Sequence, residues 1–162
     1  MKPGAGPGAG PGPLAPARPA DLEAICVLLA ASGLPTDGVS DHLPGFLVVR
    51  DASRVVATAG LEDHGDAGLL RSVVVAPAYR SRGLGRMLVT ALLDRARAQG
   101  HAAVYLLTDT AVGYFQRFGF QPVARAAVPP SVQRSAEFRI PACASSVVMV
   151  KTLGGVTPPE ER

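Results

Sequence analysis

The order of hydrophobic and polar positions along the chain predicts alternating strands and helices. Two segments carry apolar residues at the spacing of a helix with one buried face. They are residues 20–33, with Leu22, Ile25, Leu28 and Leu29, and residues 83–99, with Leu84, Leu88, Leu92 and Ala96. Short runs rich in Val and Leu are instead typical of strands. They are LAPARP, the hairpin FLVVRDASRVVATAGLEDHG, GLLRSVVVAP, AAVYLLT, FQPVAR and ASSVVMVKTL, with a short helix expected in TAVGYFQRFG.

The resulting order is one strand, a helix, three strands, a helix, a strand, a helix and two strands. This alternation predicts a mixed α/β (α+β) sheet with helices packed on its faces. Residues 3–13, PGAGPGAGPGP, cannot bury side chains or hold a helix. We therefore expect tails at residues 1–13 and 154–162 and one folded domain over residues 14–153.

Composition and charge exclude several classes of function. A net charge of +3 with scattered basic residues does not predict a nucleic-acid surface. Two distant cysteines and three histidines match neither a disulfide framework nor a zinc pattern, so no metal is expected. No apolar run is long enough to span a membrane, and the first residues do not resemble a signal peptide. These features together predict a cytoplasmic protein.

The stretch YRSRGLGRML, which follows a predicted strand and opens a predicted helix, is the strongest functional signal. Its R-x-x-G-x-G spacing suits an anion, because glycines let backbone amides approach closely at the positive end of a helix. A P-loop is excluded because Arg86 and Met87 follow Gly85, and a dinucleotide fingerprint because Leu88 replaces the third glycine. A plain glycine-capped turn is the alternative interpretation.

Two longer motifs resemble a known family. They are V-x-P-x-Y-R-x-R-G-x-G, from Val75 to Gly85, and T-x-x-A-x-x-x-F-x-x-x-G-F, from Thr108 to Phe120. Together they resemble the GNAT superfamily of acetyl-CoA-dependent N-acetyltransferases, over nearly all of residues 14–153. The resemblance implies a mixed, largely antiparallel sheet of six to seven strands, splayed at the cofactor site, with helices on both faces.

Further stretches narrow the resemblance. GLE, GLLRSVVV, YLLTDTA, RFGF, AVPPSVQRSAEF and SSVVM are similar to the N-acetyltransferases of arsenic-resistance operons. That subfamily is itself similar to the acetyltransferase domain of N-acetylglutamate synthases. The implied reaction is direct attack by the primary amine of a small, amino-acid-like acceptor on acetyl-CoA in a ternary complex, with a link to arsenic resistance.

The resemblance also implies which residues hold the donor. Backbone amides from Arg80, Arg82, Gly83, Leu84, Gly85 and Arg86 would wrap the CoA pyrophosphate. The strand residues Val73, Val74 and Val75 would face pantetheine, and the Val73 N–H would polarise the acetyl carbonyl. Thr108 stands where many relatives carry Asn. Phe115 stands where many relatives carry a Tyr that acts as general acid to the leaving thiolate. The thiolate would therefore leave without that proton donor. The neighbouring Tyr114 is a weaker candidate for the general acid.

The acceptor side is less constrained. Glu62 is the best carboxylate to take a proton from the amine, directly or through water, and a solvated turn residue is the alternative. Arg71 and Ser72 interrupt an apolar strand, so Arg71 binds an anionic acceptor or forms a structural pair. The resemblance adds Glu137 and Arg139, which precede the last strand. His42 lies in a loop that either covers the cleft or is plain surface.

Two other classes of function stay open. The first is a catalytically weak module that binds or senses acetyl-CoA. It is favoured because the catalytic Tyr of many relatives is missing and because Leu69 occupies the position where histone-type relatives carry a Glu. Nucleic-acid binding is disfavoured, because no aromatic residues alternate with basic ones. The expected partners are a small-molecule amine, no nucleic acid and no membrane, with the protein acting as a monomer or homodimer.

Overall fold

The computed structural model describes residues 10–154. Its strands are β1 (Leu14–Pro16), β2 (Phe46–Asp51), β3 (Arg54–Asp63), β4 (Ala67–Val75), β5 (Ala103–Thr108), β6 (Gln121–Pro122) and β7 (Val147–Thr152). Its α-helices are α1 (Leu22–Ala31), α2 (Leu84–Ala98), α3 (Val112–Gln116) and α4 (Pro130–Gln133). Most of the expected tails, residues 1–9 and 155–162, lie outside the described residues.

The seven strands form one sheet in the order β1-β2-β3-β4-β5-β7-β6. The pairs β1–β2, β2–β3, β5–β7 and β6–β7 are antiparallel, whereas β4 and β5 are parallel. The predicted mixed α/β fold with a mostly antiparallel sheet is therefore confirmed. The register of β4 with β5 covers Ala67–Leu69, opposite Ala103–Tyr105, and β4 then continues to Val75.

The described chain divides into two compact units. The first unit contains residues 10–62 and 71–92, and the second contains residues 63–70 and 93–154. Three elements, β3, β4 and α2, cross a boundary between the units in the sequence.

The first unit buries the apolar face of α1. Ile25 and Leu29, predicted from their helical spacing, pack in a cluster with Phe46 of β2 and with Val39 and Leu43. The last two residues belong to the loop between α1 and β2, which contains a 3-10 segment over Ser40–Gly45. That loop is therefore anchored in the core at two points, which fixes the segment around His42.

The second unit has a core that the hydrophobic pattern did not predict. Val128 and Val132 pack with Leu69 of β4 and Val148 of β7. They belong to the segment between the predicted strands FQPVAR and ASSVVMVKTL, and the sequence predicts no element over residues 126–143. The segment contains α4 and three 3-10 turns, and its short turns interrupted by proline leave no helical or strand periodicity to detect. The turns are Arg125–Ala127, Ala136–Phe138 and Pro141–Cys143.

A buried carboxylate holds the start of α1 to the sheet. Asp21 Oδ2 accepts hydrogen bonds from the Arg18 amide at 2.7 Å and from Arg50 Nη2 at 2.5 Å. Burial by itself raises the pKa of Asp21, but the hydrogen bonds from Arg18 and Arg50 outweigh it, and the pKa lies below the usual 3.8. The ionised form of Asp21 is thus the form that stabilises the folded state.

We predict that Asp21→Asn lowers the free energy of unfolding near neutral pH by about 1–2 kcal/mol, because it removes a charge-assisted hydrogen bond. A pKa that is lowered on folding contributes stability above the unfolded value, and this contribution is lost as the pH falls through the folded value. The difference between wild type and variant in urea denaturation should therefore shrink below about pH 3.8. Asp66→Asn, at an exposed position, is the matched control, and an equal loss in both variants would refute the role of Asp21.

Candidate active site

The glycine loop enters α2 through a turn that relies on left-handed backbone. Ser81 has φ +66° and Gly83 has φ +82°, and α2 begins at Leu84. A Cβ placed on Gly83 would meet nothing within 4 Å, so glycine is favoured here by its backbone conformation and not by lack of space. When residues just before a helix have left-handed backbone, their successive amides face one concave surface. Such a surface suits an anion.

Side chains of the loop hold its backbone in place. The hydroxyl of Tyr79 donates to Asp51 Oδ2, and that hydrogen bond raises the pKa of Tyr79 above its usual value of 10.0. The Arg82 guanidinium lies over the Tyr79 ring, 5.1 Å from its centre. Arg80 Nε donates to the Val75 carbonyl at 3.0 Å. Both arginines remain exposed, so they keep positive charge beside the amides.

The strand that leads into this loop, β4, has an irregular backbone at Ser72. Ser72 has φ +60° inside β4, a conformation that is uncommon for a residue other than glycine. Its hydroxyl accepts a hydrogen bond from Arg71 Nε at 2.9 Å. Val73 and Val75 are half-buried, whereas Val74 packs in the first core. Strained backbone of this kind concentrates at functional sites, and here it coincides with the predicted donor-binding strand.

Glu62 and Arg71 form a buried ion pair. Arg71 Nη1 donates to Glu62 Oε2 at 2.8 Å, and both side chains are 0% exposed. Arg71 Nη2 also faces the Pro35 carbonyl at 3.4 Å, so the same guanidinium contacts the α1–β2 loop. Burial excludes the interpretation of Glu62 as a solvated turn residue. The guanidinium compensates a carboxylate that would otherwise be costly to bury.

His42 lies on the other side of the same carboxylate. Its Nε2 is 3.6 Å from Glu62 Oε1, and its side chain is 29% exposed. From the sequence, His42 is a residue of a loop that either covers the cleft or is plain surface. His42 and Glu62 are twenty positions apart, and no local sequence pattern connects residues at that distance. The one sequence signal for His42 was its place in a loop that was a candidate cover for the cleft.

The predicted residues of the second unit have defined local environments. Thr108 Oγ1 accepts a hydrogen bond from the Ala111 amide at 3.1 Å, at the start of α3, and its own hydroxyl proton remains a donor. Phe115 is buried and packs edge to face on Tyr114 and Phe120, at centroid distances of 5.1 and 6.0 Å.

Glu137 and Arg139 differ in exposure. Glu137 is buried in the 3-10 turn Ala136–Phe138, and its amide donates to Ser135 Oγ at 3.2 Å. Arg139 is exposed. Within the first unit the structure thus brings Glu62, Arg71 and Ser72 into direct contact, whereas Glu137 and Arg139 belong to one short turn of the second unit.

The comparison with known families supplies the identification. Residues 18–120, more than half of the chain, match the model of the acetyltransferase (GNAT) family. The chain belongs to the GNAT family. The match includes the Glu62–Arg71 pair, the glycine loop, α2 and Phe115.

Curated relatives match a part of this chain. An amino-acid acetyltransferase of Pseudomonas fluorescens (strain Pf0-1) is 37% identical over 79 residues, which cover 48% of this chain and 18% of that protein. An amino-acid acetyltransferase of Yersinia pseudotuberculosis serotype O:1b (strain IP 31758) is 28% identical over 107 residues, which cover 65% of this chain and 23% of that protein. The chain thus spans about a fifth of the length of these relatives.

Solved structures share the fold. N-acetylglutamate synthase from Neisseria gonorrhoeae, complexed with coenzyme A and N-acetyl-glutamate, superposes with a TM-score of 0.75 at 20% identity. The alignment covers 87% of this chain and 35% of that one. Rv2747 from Mycobacterium tuberculosis, in complex with CoA, has a TM-score of 0.74 at 23% identity and covers 88% and 99% of the two chains. Across residues 10–154, no helix has the length and apolar character that crossing a membrane requires.

We predict that Arg71→Met lowers the free energy of unfolding by about 3–5 kcal/mol, because it leaves the buried Glu62 carboxylate without this cation. The double variant Glu62→Leu/Arg71→Met should recover much of that loss, since it removes both charges from the interior. Urea denaturation of the four members of the cycle measures the coupling. Arg139→Met, at an exposed arginine, should change stability by less than about 0.5 kcal/mol. Additive losses in the cycle would show that the two charges do not depend on each other.

Proposed function

We propose that this protein transfers the acetyl group of acetyl-CoA to the primary amine of a small, amino-acid-like acceptor. The observation that carries the proposal is the glycine loop, in which left-handed Ser81 and Gly83 present backbone amides at the start of α2. Such a loop suits a pyrophosphate, and it occurs in a chain of the GNAT family.

The donor is proposed to bind mainly through backbone. Amides of the loop residues would hold the pyrophosphate, and the irregular strand β4 would pair with pantetheine as with an added strand. The loop residues are Arg80, Arg82, Gly83, Leu84, Gly85 and Arg86, and the strand residues are Val73, Val74 and Val75. The Val73 N–H would stabilise the negative charge that develops on the thioester oxygen. Thr108 and Phe115 are proposed as further cofactor-side residues.

The acceptor is proposed to be an amino acid or a close analogue. The curated relatives are named amino-acid acetyltransferases, and N-acetylglutamate synthase is a structural neighbour. Arginine is the residue best suited to the carboxylate of such an acceptor. Arg71 already contacts Glu62, Ser72 and the Pro35 carbonyl, so its proposed role is to fix Glu62 beside the acceptor.

The remaining acceptor residues follow from their charge and exposure. We propose that the exposed Arg139 supplies a cation for the acceptor carboxylate. Glu137, a buried acid, is proposed as a further acceptor-side residue. Ser72, with its hydroxyl beside Arg71, would contact the acceptor from β4.

The proposed reaction is direct attack within a ternary complex. The neutral amine attacks the thioester carbon, the C–S bond breaks, and sulfur leaves with the electron pair as the CoA thiolate. Glu62 supplies the negative charge that favours loss of a proton from the acceptor's ammonium. No phenol stands at Phe115, so the thiolate would take its proton from the product nitrogen or from water.

The link to arsenic resistance, the cytoplasmic location and the monomeric or homodimeric state remain predictions from the sequence. An acceptor with a phosphonate or arsenic oxyanion would suit an arginine as well as a carboxylate does. Arsenic-containing amino acids therefore belong in the acceptor panel.

One observation favours a second function, an acetyl-CoA-binding module with little turnover. The position of the catalytic tyrosine is occupied by the buried Phe115, whose ring packs on Tyr114 and Phe120. A phenyl ring has no proton to donate to a leaving thiolate. Measurement of turnover separates the two functions.

We predict that the wild-type protein releases CoA thiol from acetyl-CoA only when an acceptor amine is present. The panel should contain L-glutamate, L-glutamine, L-arginine, phosphonate and arsenic-containing amino acids, and an amine that lacks an acidic group. A thiol-specific dye follows the reaction, and mass spectrometry identifies an N-acetylated product. Binding of CoA without acceptor-dependent thiol would establish the binding module instead.

We predict that Gly83→Asp weakens CoA binding at least about 100-fold, because it places a negative charge beside the pyrophosphate and disfavours the left-handed turn. Isothermal titration with CoA measures the affinity. Gly100→Asp is a matched control, since Gly100 also has φ +82° and open space and lies at the other end of α2. Equal CoA affinity in the Gly83 variant and wild type would remove the loop from the donor site.

A further inference from the structure

We infer that His42 is the group that accepts the proton of the acceptor's ammonium, and that Glu62 acts as its positioning residue. The inference rests on the proposed function and names the base for that reaction. It arises from the way the two oxygens of a single buried carboxylate are shared between a buried arginine and a partly exposed histidine.

The two oxygens of Glu62 face different partners. Oε2 accepts from Arg71 Nη1 at 2.8 Å, and Oε1 lies 3.6 Å from His42 Nε2. Arg71 is itself held by the Ser72 hydroxyl and the Pro35 carbonyl, so the carboxylate has a fixed orientation. A catalytic base is commonly oriented by a neighbouring group, and here Arg71 fixes the carboxylate that faces the imidazole.

Burial decides which member of the chain receives the proton. The Glu62 side chain is 0% exposed and its Oε2 is bound to Arg71, whereas the His42 side chain is 29% exposed. A group that takes a proton from a small substrate must come within hydrogen-bond distance of it, directly or through one water molecule. His42 meets this requirement better, and Glu62 stabilises the imidazolium that forms.

The backbone holds His42 in place for this role. Its amide donates to the carbonyls of Gly38 and Val39, at 3.2 and 3.1 Å. At φ −115° and ψ 15°, His42 departs from helical geometry within the 3-10 segment Ser40–Gly45. Val39 and Leu43, near it on either side, are buried in the first core. The ring therefore projects from a short segment that is anchored at both ends.

The proton step balances without another reactant. In the neutral imidazole of His42 one ring nitrogen carries a lone pair. That nitrogen takes one proton from the acceptor's ammonium, which gives the neutral amine and an imidazolium. The amine then attacks the thioester carbon, and the CoA thiolate leaves. The product nitrogen loses its second proton to the thiolate, and His42 returns its proton to solvent.

The test compares two nucleophiles that differ in basicity. The first is the panel amino acid that the wild type acetylates fastest, and the second is its α-hydrazino analogue, whose terminal nitrogen is a much weaker base. His42→Gln should lower kcat for the amino acid about 100-fold. It should lower kcat for the hydrazino analogue less than about tenfold, because that nitrogen already carries its lone pair. KM and CoA affinity should stay within about threefold of wild type.

Like His42→Gln, Glu62→Gln should lower kcat more for the amino acid than for the hydrazino analogue. The double variant Glu62→Gln/His42→Gln should be no slower than His42→Gln alone. If Glu62→Gln does not fold, the His42 comparison still decides. His64→Gln changes the histidine two residues beyond Glu62 in sequence, which is the rival candidate for the base, and it should retain wild-type selectivity.

Each other outcome overturns the inference. An equal loss with both nucleophiles would give His42 a purely structural role, and no loss would remove it from the reaction. Selective loss in His64→Gln would assign the base to that histidine. If wild type turns over no acceptor, the proposed function itself fails, and that result is distinct from an active wild type with an unaffected His42 variant.

Discussion

The ion pair between Glu62 and Arg71 is the interaction on which the proposed chemistry depends. Both charged side chains are fully buried, 2.8 Å apart, and each would be costly to bury alone. The pair joins the end of β3 to the middle of β4, and through Pro35 it also reaches the α1–β2 loop. The pair fixes the orientation of the carboxylate, and in the proposed reaction Glu62 acts through the neighbouring His42.

The donor side depends on a different constraint, the backbone conformation. Ser72, Ser81 and Gly83 all have positive φ, and they bracket the stretch in which β4 gives way to the glycine loop. Side chains there mainly support the main chain, as Arg80 does through the Val75 carbonyl and Tyr79 through Asp51. Recognition through amides tolerates many side chains, so the loop would bind the proposed donor without constraining the acceptor.

The sequence predicted the fold well where one periodicity dominates. The helix α2 with Leu88 and Leu92, the hairpin β2–β3 and the strand β4 are present as expected, because their apolar residues repeat at helical or strand spacing. No element was predicted over residues 126–143, because short turns carry no hydrophobic periodicity. At the site, the sequence marked Glu62 and Arg71 as candidates but did not pair them, and it did not connect His42 with either. These contacts join distant segments, and only tertiary structure brings such residues together.

The most direct test of this account is a crystal structure of the protein with CoA and the amino acid that it acetylates. We expect the pyrophosphate on the amides of residues 82–86. We expect the acceptor nitrogen within about 3 Å of His42 or of a water molecule bound to it. We also expect the Glu62–Arg71 pair intact. An acceptor nitrogen far from His42, or an Arg71 that leaves Glu62 to bind the acceptor carboxylate, would contradict the account.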